Sequence, residues 1–254
     1  MWKLSLNRFG LWSISIAVLF SAPATLASCP VLVPLAVEAS AAQPDLRSFV
    51  LDPSALTSFP SPDLSRESLP LLTEYRDWAR VHAVSVDPID LLKHQRAVYA
   101  RVLPQELPRF DALIEGRVGT IQDASCLEAG LLEEHLKFGY SEKRDTEFVA
   151  YVMDCGPELR IRFQTSSTAG VSPSKVIQAQ VQLDRTQGCK LVVHLHNHPF
   201  DFENHYGDIS GTVIPSGADM DTYRNIRERS GLEEARITNG FNTLRLDSAE
   251  FSAL

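Results

Sequence analysis

Apolar and polar positions change their period several times along this chain, and the changes mark out its elements. Over 69–82, 88–102 and about 105–115, apolar residues recur at three- and four-residue steps, the period of a helix with one buried face. Asp87-Pro88 starts the second of these helices, and Pro104 and Pro108 punctuate the third. Residues 126–138 show the same spacing and predict another helix. Phe148–Met153 and Glu158–Thr165 predict two strands paired across the turn Cys155-Gly156-Pro157. Lys175–Leu183 alternates apolar and polar side chains and predicts a further strand. The run from Lys190 to His198 is aliphatic and then alternating, so it predicts a strand. Pro199 should stop it, because proline cannot donate to a sheet ladder. Pro215-Ser216 has the form of a helix start, with Ser216 as N-cap and a polar helix over Asp219–Arg229. Asn239-Gly240, between Arg236-Ile237-Thr238 and Phe241–Leu246, predicts a two-residue hairpin.

The first 28 residues follow a different rule. Met1–Arg8 carries Lys3 and Arg8 and no acid, and an apolar stretch from Phe9 to Ala27 follows. That is the layout of a secretory signal, which places the mature chain in the periplasm or cell envelope. Leu26-Ala27-Ser28-Cys29 resembles a bacterial lipoprotein box, with Cys29 as the lipidated residue. A cut after Ala27 or after Ala39-Ser40-Ala41, or an uncleaved anchor, stands beside that reading. On this reading the membrane is touched only through the signal or its lipid. Residues 29–68 are rich in Pro, Ser and Ala and read as linker or irregular chain, 69–118 as a helical extension, and 119–254 as the main domain.

Losing residues 1–28 removes two positive charges, so a net charge of −8 becomes −10. Such a surface disfavours a nucleic-acid partner, whose phosphates need Lys and Arg. With Cys29 lipidated, Cys126, Cys155 and Cys189 remain. Cys155 ends one predicted strand and Cys189 precedes another, so a Cys155–Cys189 disulfide would tie two strand ends in an oxidising compartment. Buried free thiols are the other reading.

Four of the seven histidines fall between positions 194 and 205. His196 and His198 share one strand face, roughly 6.5–7 Å apart along it. Two such imidazoles can lean toward one metal and each reach it at about 2.0–2.1 Å. Catalytic zinc needs a third ligand and an open position. Asp219, in the first turn of the following helix, supplies the carboxylate. His194 lies one pair further back on the same face, as a ligand, a positioning group or packing. Neither His-Glu-x-x-His nor a zinc-spaced Cys-x-x-Cys pair is present.

His196-Asn197-His198-Pro199 with downstream Ser216-Gly217-Ala218-Asp219 resembles the signature of the JAB/MPN (JAMM) zinc metallopeptidases, over roughly residues 124–246. The resemblance implies an α+β fold of α/β/α-like layering, a mixed β-sheet of the JAB/MPN type flanked by helices, here with an N-terminal helical extension. It implies Zn²⁺ held by His196, His198 and Asp219. It also implies an upstream glutamate as general base and then acid, and Ser216 as hydrogen-bond donor to the oxyanion. Ser216 as a helix cap alone is the plainer reading. Glu147, 49 residues before His196, matches the glutamate's place at the first strand after a helix; Glu128 is the rival. The implied reaction is hydrolysis of a peptide or isopeptide bond, and an envelope setting would make a cell-wall peptide or an envelope protein tail the substrate. One departure is the sixteen residues Phe200–Pro215, longer than the family's link. They read as a surface loop, a lid or a second cation site, and leave Asp208 or Asp221 as substitutes for Asp219. A non-catalytic MPN-like interaction module and an intracellular peptidase of the same chemistry are the competing functions.

Overall fold

The computed structural model describes residues 29–35, 45–60, 66–138, 146–167, 170, 172–200 and 210–254. The segment read above as a secretory signal, residues 1–28, lies outside them, as do Asp208 and most of the long insertion. Eight strands form one mixed sheet in the order β1-β2-β5-β4-β6-β7-β8-β3. They are β1 (Val33–Pro34), β2 (Leu46–Leu51), β3 (Thr120–Asp123), β4 (Phe148–Asp154), β5 (Leu159–Thr165), β6 (Lys190–Asn197), β7 (Glu234–Thr238) and β8 (Asn242–Asp247). All neighbours are antiparallel except β6 and β7. That parallel pair needs a crossover, and the connection supplies one through a helix.

The helices are α1 (Pro70–His82), α2 (Pro88–Val102), α3 (Leu107–Ile114), α4 (Cys126–Leu136), α5 (Lys175–Thr186) and α6 (Gly217–Ser230). They cover both faces of the sheet. Leu72 and Tyr75 of α1 and Leu127 and Leu131 of α4 pack with Phe148, Ala150 and Val152 of β4. Ile177 and Val181 of α5 and Met220 and Tyr223 of α6 pack with Val149, Tyr151 and Met153 on the other face. Both faces of β4 are therefore buried, which is why its sequence is an unbroken apolar run. The α+β class and helix-flanked mixed sheet agree with the sequence.

Besides the short strands β1 and β3, which the sequence reading did not include, three elements differ from it. Lys175–Leu183 lies within a helix. Its apolar positions fit a period of two and also of four, and burial decides between them. Ile177 and Val181, four apart, are buried, while Ala179 and Leu183 are exposed. The Ser174 side chain caps the helix by accepting from the Ile177 N–H at 3.3 Å. Secondly, residues 46–51, read as irregular, form a strand paired with β5 along its whole length, with Leu46, Phe49 and Leu51 buried. The surrounding Pro, Ser and Ala masked a six-residue run. Thirdly, the hairpin turn sits one residue later than expected. The Asn239 N–H donates to the Asn242 carbonyl, so Gly240-Phe241 is the central pair. Gly240 takes φ +90°, and a Cβ there would meet Leu132 and Tyr75 at 2.7–2.8 Å.

All four cysteines are paired. Cys155 and Cys189 are bonded and tie the β4–β5 turn to the start of β6. Cys29, expected as a lipidation site, is bonded to Cys126. A sulfur in a disulfide cannot carry a thioether-linked lipid, so the structure assigns Cys29 a staple instead.

One irregularity in the sheet decides what the histidines face. Val152 pairs with Val193 and Met153 with Leu191, leaving Val192 as an extra residue, a β-bulge. Leu191 packs on the α5/α6 side, whereas Val193 and Leu195 pack on the α1/α4 side. The bulge thus turns His194 and His196 toward α6. Without it, the strict alternation of a strand would point them at α4.

Candidate metal centre

His196 and His198 come from the C-terminal end of β6 and the residue beyond it. Asp219 comes from the first turn of α6, on the same side of the sheet. The two Nε2 atoms lie 3.1 Å apart. His196 Nε2 is 3.5 Å from Asp219 Oδ1, and His198 Nε2 is 3.7 Å from Asp219 Oδ2. Among the described residues, these three form the group of His, Cys, Asp and Glu whose donor atoms converge. Ligands each about 2.0–2.2 Å from one ion are at most about 4.4 Å apart. All three separations fall inside that limit, the two to Asp219 being to different oxygens of its carboxylate, so the two imidazoles and that carboxylate fit a single divalent cation.

The far side of each imidazole supports this orientation. His198 Nδ1 lies 3.0 Å from the Thr212 carbonyl, which can only accept, so Nδ1 carries the proton and Nε2 presents its lone pair. His196 Nδ1 lies 3.2 Å from the hydroxyl of Tyr223. With a cation at Nε2, His196 donates from Nδ1 to that phenol oxygen, the outer-shell contact that fixes tautomer and ring angle. Burial, with His198 beside it, pushes the His196 imidazole down to about 3, so it is neutral at neutral pH. Burial disfavours ionisation of Asp219, but His196, His198 and its bonds with Ser216 outweigh it and hold the carboxyl below its ordinary range.

Ser216 and Asp219 form a reciprocal capping box. The Asp219 N–H donates to Ser216 Oγ at 3.1 Å, and the Ser216 N–H donates to Asp219 Oδ2 at 2.6 Å. The box orients the carboxylate. Since Oγ accepts there, its own proton stays available to an outside acceptor, and Ser216 is exposed.

Glu147 immediately precedes β4, in the odd-numbered row whose members Val149 and Tyr151 pair with His196 and His194. It is half-buried. Burial raises the Tyr223 phenol well above its usual range, and the charges of Asp219 and Glu147 add to the effect, so both carboxylates act on one hydroxyl. The backbone around Glu147 is held from two sides. Its carbonyl accepts from the Ser166 N–H at 2.8 Å. Asn197 bridges its neighbours, with Oδ1 accepting from the Phe148 N–H at 2.7 Å and Nδ2 donating to the Thr146 carbonyl at 3.2 Å.

The rival residues have other partners. Glu128 is fully buried on α4, across the sheet from the histidines. It accepts from the N–H and hydroxyl of Ser125 and from Arg236 Nη1 at 2.6 Å. Asp221 is exposed and bonded to Arg224 at 2.8 Å. His194 stands outside the converging group. It is buried between the rings of Tyr151 and Tyr223, and neither of its nitrogens has a hydrogen-bond partner among the described residues. Tyr223 and Asn197 escape a reading of the sequence alone. Tyr223 follows Asp219 by four residues, the helical step that places both on neighbouring turns of one face. Asn197 carries no such signal. Compared with known proteins, the chain matches no family model, no curated protein and no solved structure.

Proposed function

We propose that this chain is a zinc-dependent hydrolase of peptide or isopeptide bonds, of the JAB/MPN type. The observation that carries the reading is the convergence of His196 Nε2, His198 Nε2 and the Asp219 carboxylate, with both imidazoles held at Nδ1 by acceptors. Zn²⁺, when bound, supplies Lewis acidity that lowers the pKa of a water toward 7 and polarises a carbonyl. His196, His198 and Asp219 would hold the ion.

The remaining work falls to the chain's own groups. Glu147 accepts a proton at its carboxylate and returns it to the departing amine nitrogen, acting as base and then acid. Asn197 and Ser166 keep the backbone that carries Glu147 in register with the histidines. Ser216 donates a hydrogen bond from its hydroxyl to the oxygen that becomes anionic as the carbonyl is attacked. Tyr223 holds the His196 ring. Two disulfides with no cysteine left free support maturation outside a reducing cytosol, and with it the export reading. No helix among the described residues is long and apolar enough to cross a membrane.

The reading is tested by incubating the zinc-loaded protein with a denatured protein mixture and mapping new N-termini by mass spectrometry. Wild type should generate them, and Glu147→Gln should retain zinc yet generate none. Equal cleavage by both proteins would remove Glu147 from its role, and cleavage lost only in Glu128→Gln would transfer the role there.

A further inference from the structure

We infer that the groove between α5 and α6 is the substrate channel of this centre, and that it takes an extended peptide segment carrying a carboxylate about four residues from the scissile bond. The inference rests on the hydrolase reading above and adds a substrate class to it. Thr222, Asn225, Ile226 and Arg229 line one wall. They follow Asp219 at steps of three and four residues, so the flank of α6 beside the metal ligand continues as the groove wall. From Asp219 to Arg229 the helix rises about 15 Å. That is the length of four to five extended residues at about 3.3 Å each.

The volume of about 350 Å³ suits a short peptide. Its apolar lining comes from Tyr151, Val181, Leu191 and Ile226. Three amides, Gln178, Gln182 and Asn225, contribute to its polar lining. Gln178 uses its Nε2 on the Pro173 carbonyl, Gln182 its Oε1 on Arg185, and Asn225 its Nδ2 on the Asp221 carbonyl. Gln178 Oε1, Gln182 Nε2 and Asn225 Oδ1 have no hydrogen-bond partner among the described residues and face an incoming chain. Two acceptors and one donor match the alternating N–H and C=O groups of an extended peptide.

The far end of the groove is positive. Arg229 lines it, and Arg185 Nη1 reaches both the Arg229 carbonyl at 3.3 Å and Gln182 at 3.1 Å. Neither guanidinium has a carboxylate within ion-pair distance among the described residues, although the chain as a whole is acidic, with a net charge of −8. A carboxylate on the bound segment completes this end, supplied either by the chain terminus or by an acidic side chain.

Three fluorescein-labelled probes separate these sources by anisotropy: tetra-alanine with a free carboxylate, tetra-alanine amide, and the amide with aspartate as its last residue. Metal content is measured on the same as-purified protein. At least one of the two acidic probes should bind about tenfold more tightly than the neutral amide, the scale of a charge-assisted hydrogen bond. The tighter one identifies the source. Arg229→Gln, at an exposed position, should abolish the difference, and Asn225→Trp should weaken all three by filling the groove. Equal binding of acidic and neutral probes, no binding, or a preference that survives Arg229→Gln would overturn the inference. Zinc present without the preference contradicts the channel alone. The preference without zinc contradicts the hydrolase reading and leaves the groove as a carboxylate-peptide site.

Discussion

Asn197 sits between two histidines but turns its side chain to the neighbouring strand. There it replaces backbone pairing on both sides of Glu147. Asn197→Ala leaves a buried N–H and a buried carbonyl unpaired, which should cost roughly 1–3 kcal/mol in urea melts. It should also lower turnover while zinc content stays at the wild-type level. Full activity in that variant would show that the bridge only stabilises. Tyr223→Phe acts on the ion instead, and zinc competition with a chelator should show an affinity loss of about tenfold or more.

His135 reports on the fold rather than the site. It is buried between Thr165 and Thr146, and burial pushes it down to about 4 from an ordinary 6.5. The native state therefore keeps it neutral while the unfolded chain protonates near 6.5. This contribution is fully present above about pH 6.5, is lost as pH falls toward 4, and amounts to roughly 3 kcal/mol. His135→Gln should flatten the stability slope between pH 4 and 6.5 relative to wild type, and an unchanged slope would count against the burial. Of the site residues only the candidate ligands His196, His198 and Asp219 are legible in the sequence, because metal binding needs particular types at particular spacings. Asn197 and Tyr223 act through contacts between strands and helices that no linear pattern records.

Elements were legible wherever one period fitted alone. The helices over 70–114, the paired strands β4 and β5, and α6 with its Ser216 cap follow from spacing and caps. Lys175–Leu183 satisfied two periods at once, and only contact with the sheet separates Val181 from Leu183. Ser174→Ala tests that helix. Loss of its cap should cost about 1 kcal/mol, seen as a lower melting temperature, whereas in a loop before a strand it should cost nothing measurable. The Val192 bulge was equally invisible in the sequence, yet it turns the candidate ligand His196 to the same face of the sheet as Asp219.

At the scale of the molecule, two disulfides join what the sequence reads as linker to the helix before Glu147, and the β4–β5 turn to the histidine strand. The first closes a separation of 97 residues and the second one of 34. Removal of either should lower stability by about 2–5 kcal/mol. Thiol titration of the denatured, unreduced protein should find no free thiol. A thiol at Cys126 together with a lipid-sized mass on Cys29 would restore the lipoprotein assignment. The pairing of Cys29 was not legible because its surroundings resemble a processing signal, and its partner lies far along the chain.

The most direct test of the central claim is the metal content of the purified protein, wild type beside His196→Ala/His198→Ala. The account predicts about one zinc per chain in wild type and none in the double variant, with the fold retained in both. Wild-type protein that stays metal-free after incubation with zinc, or a double variant that keeps it, would contradict the account.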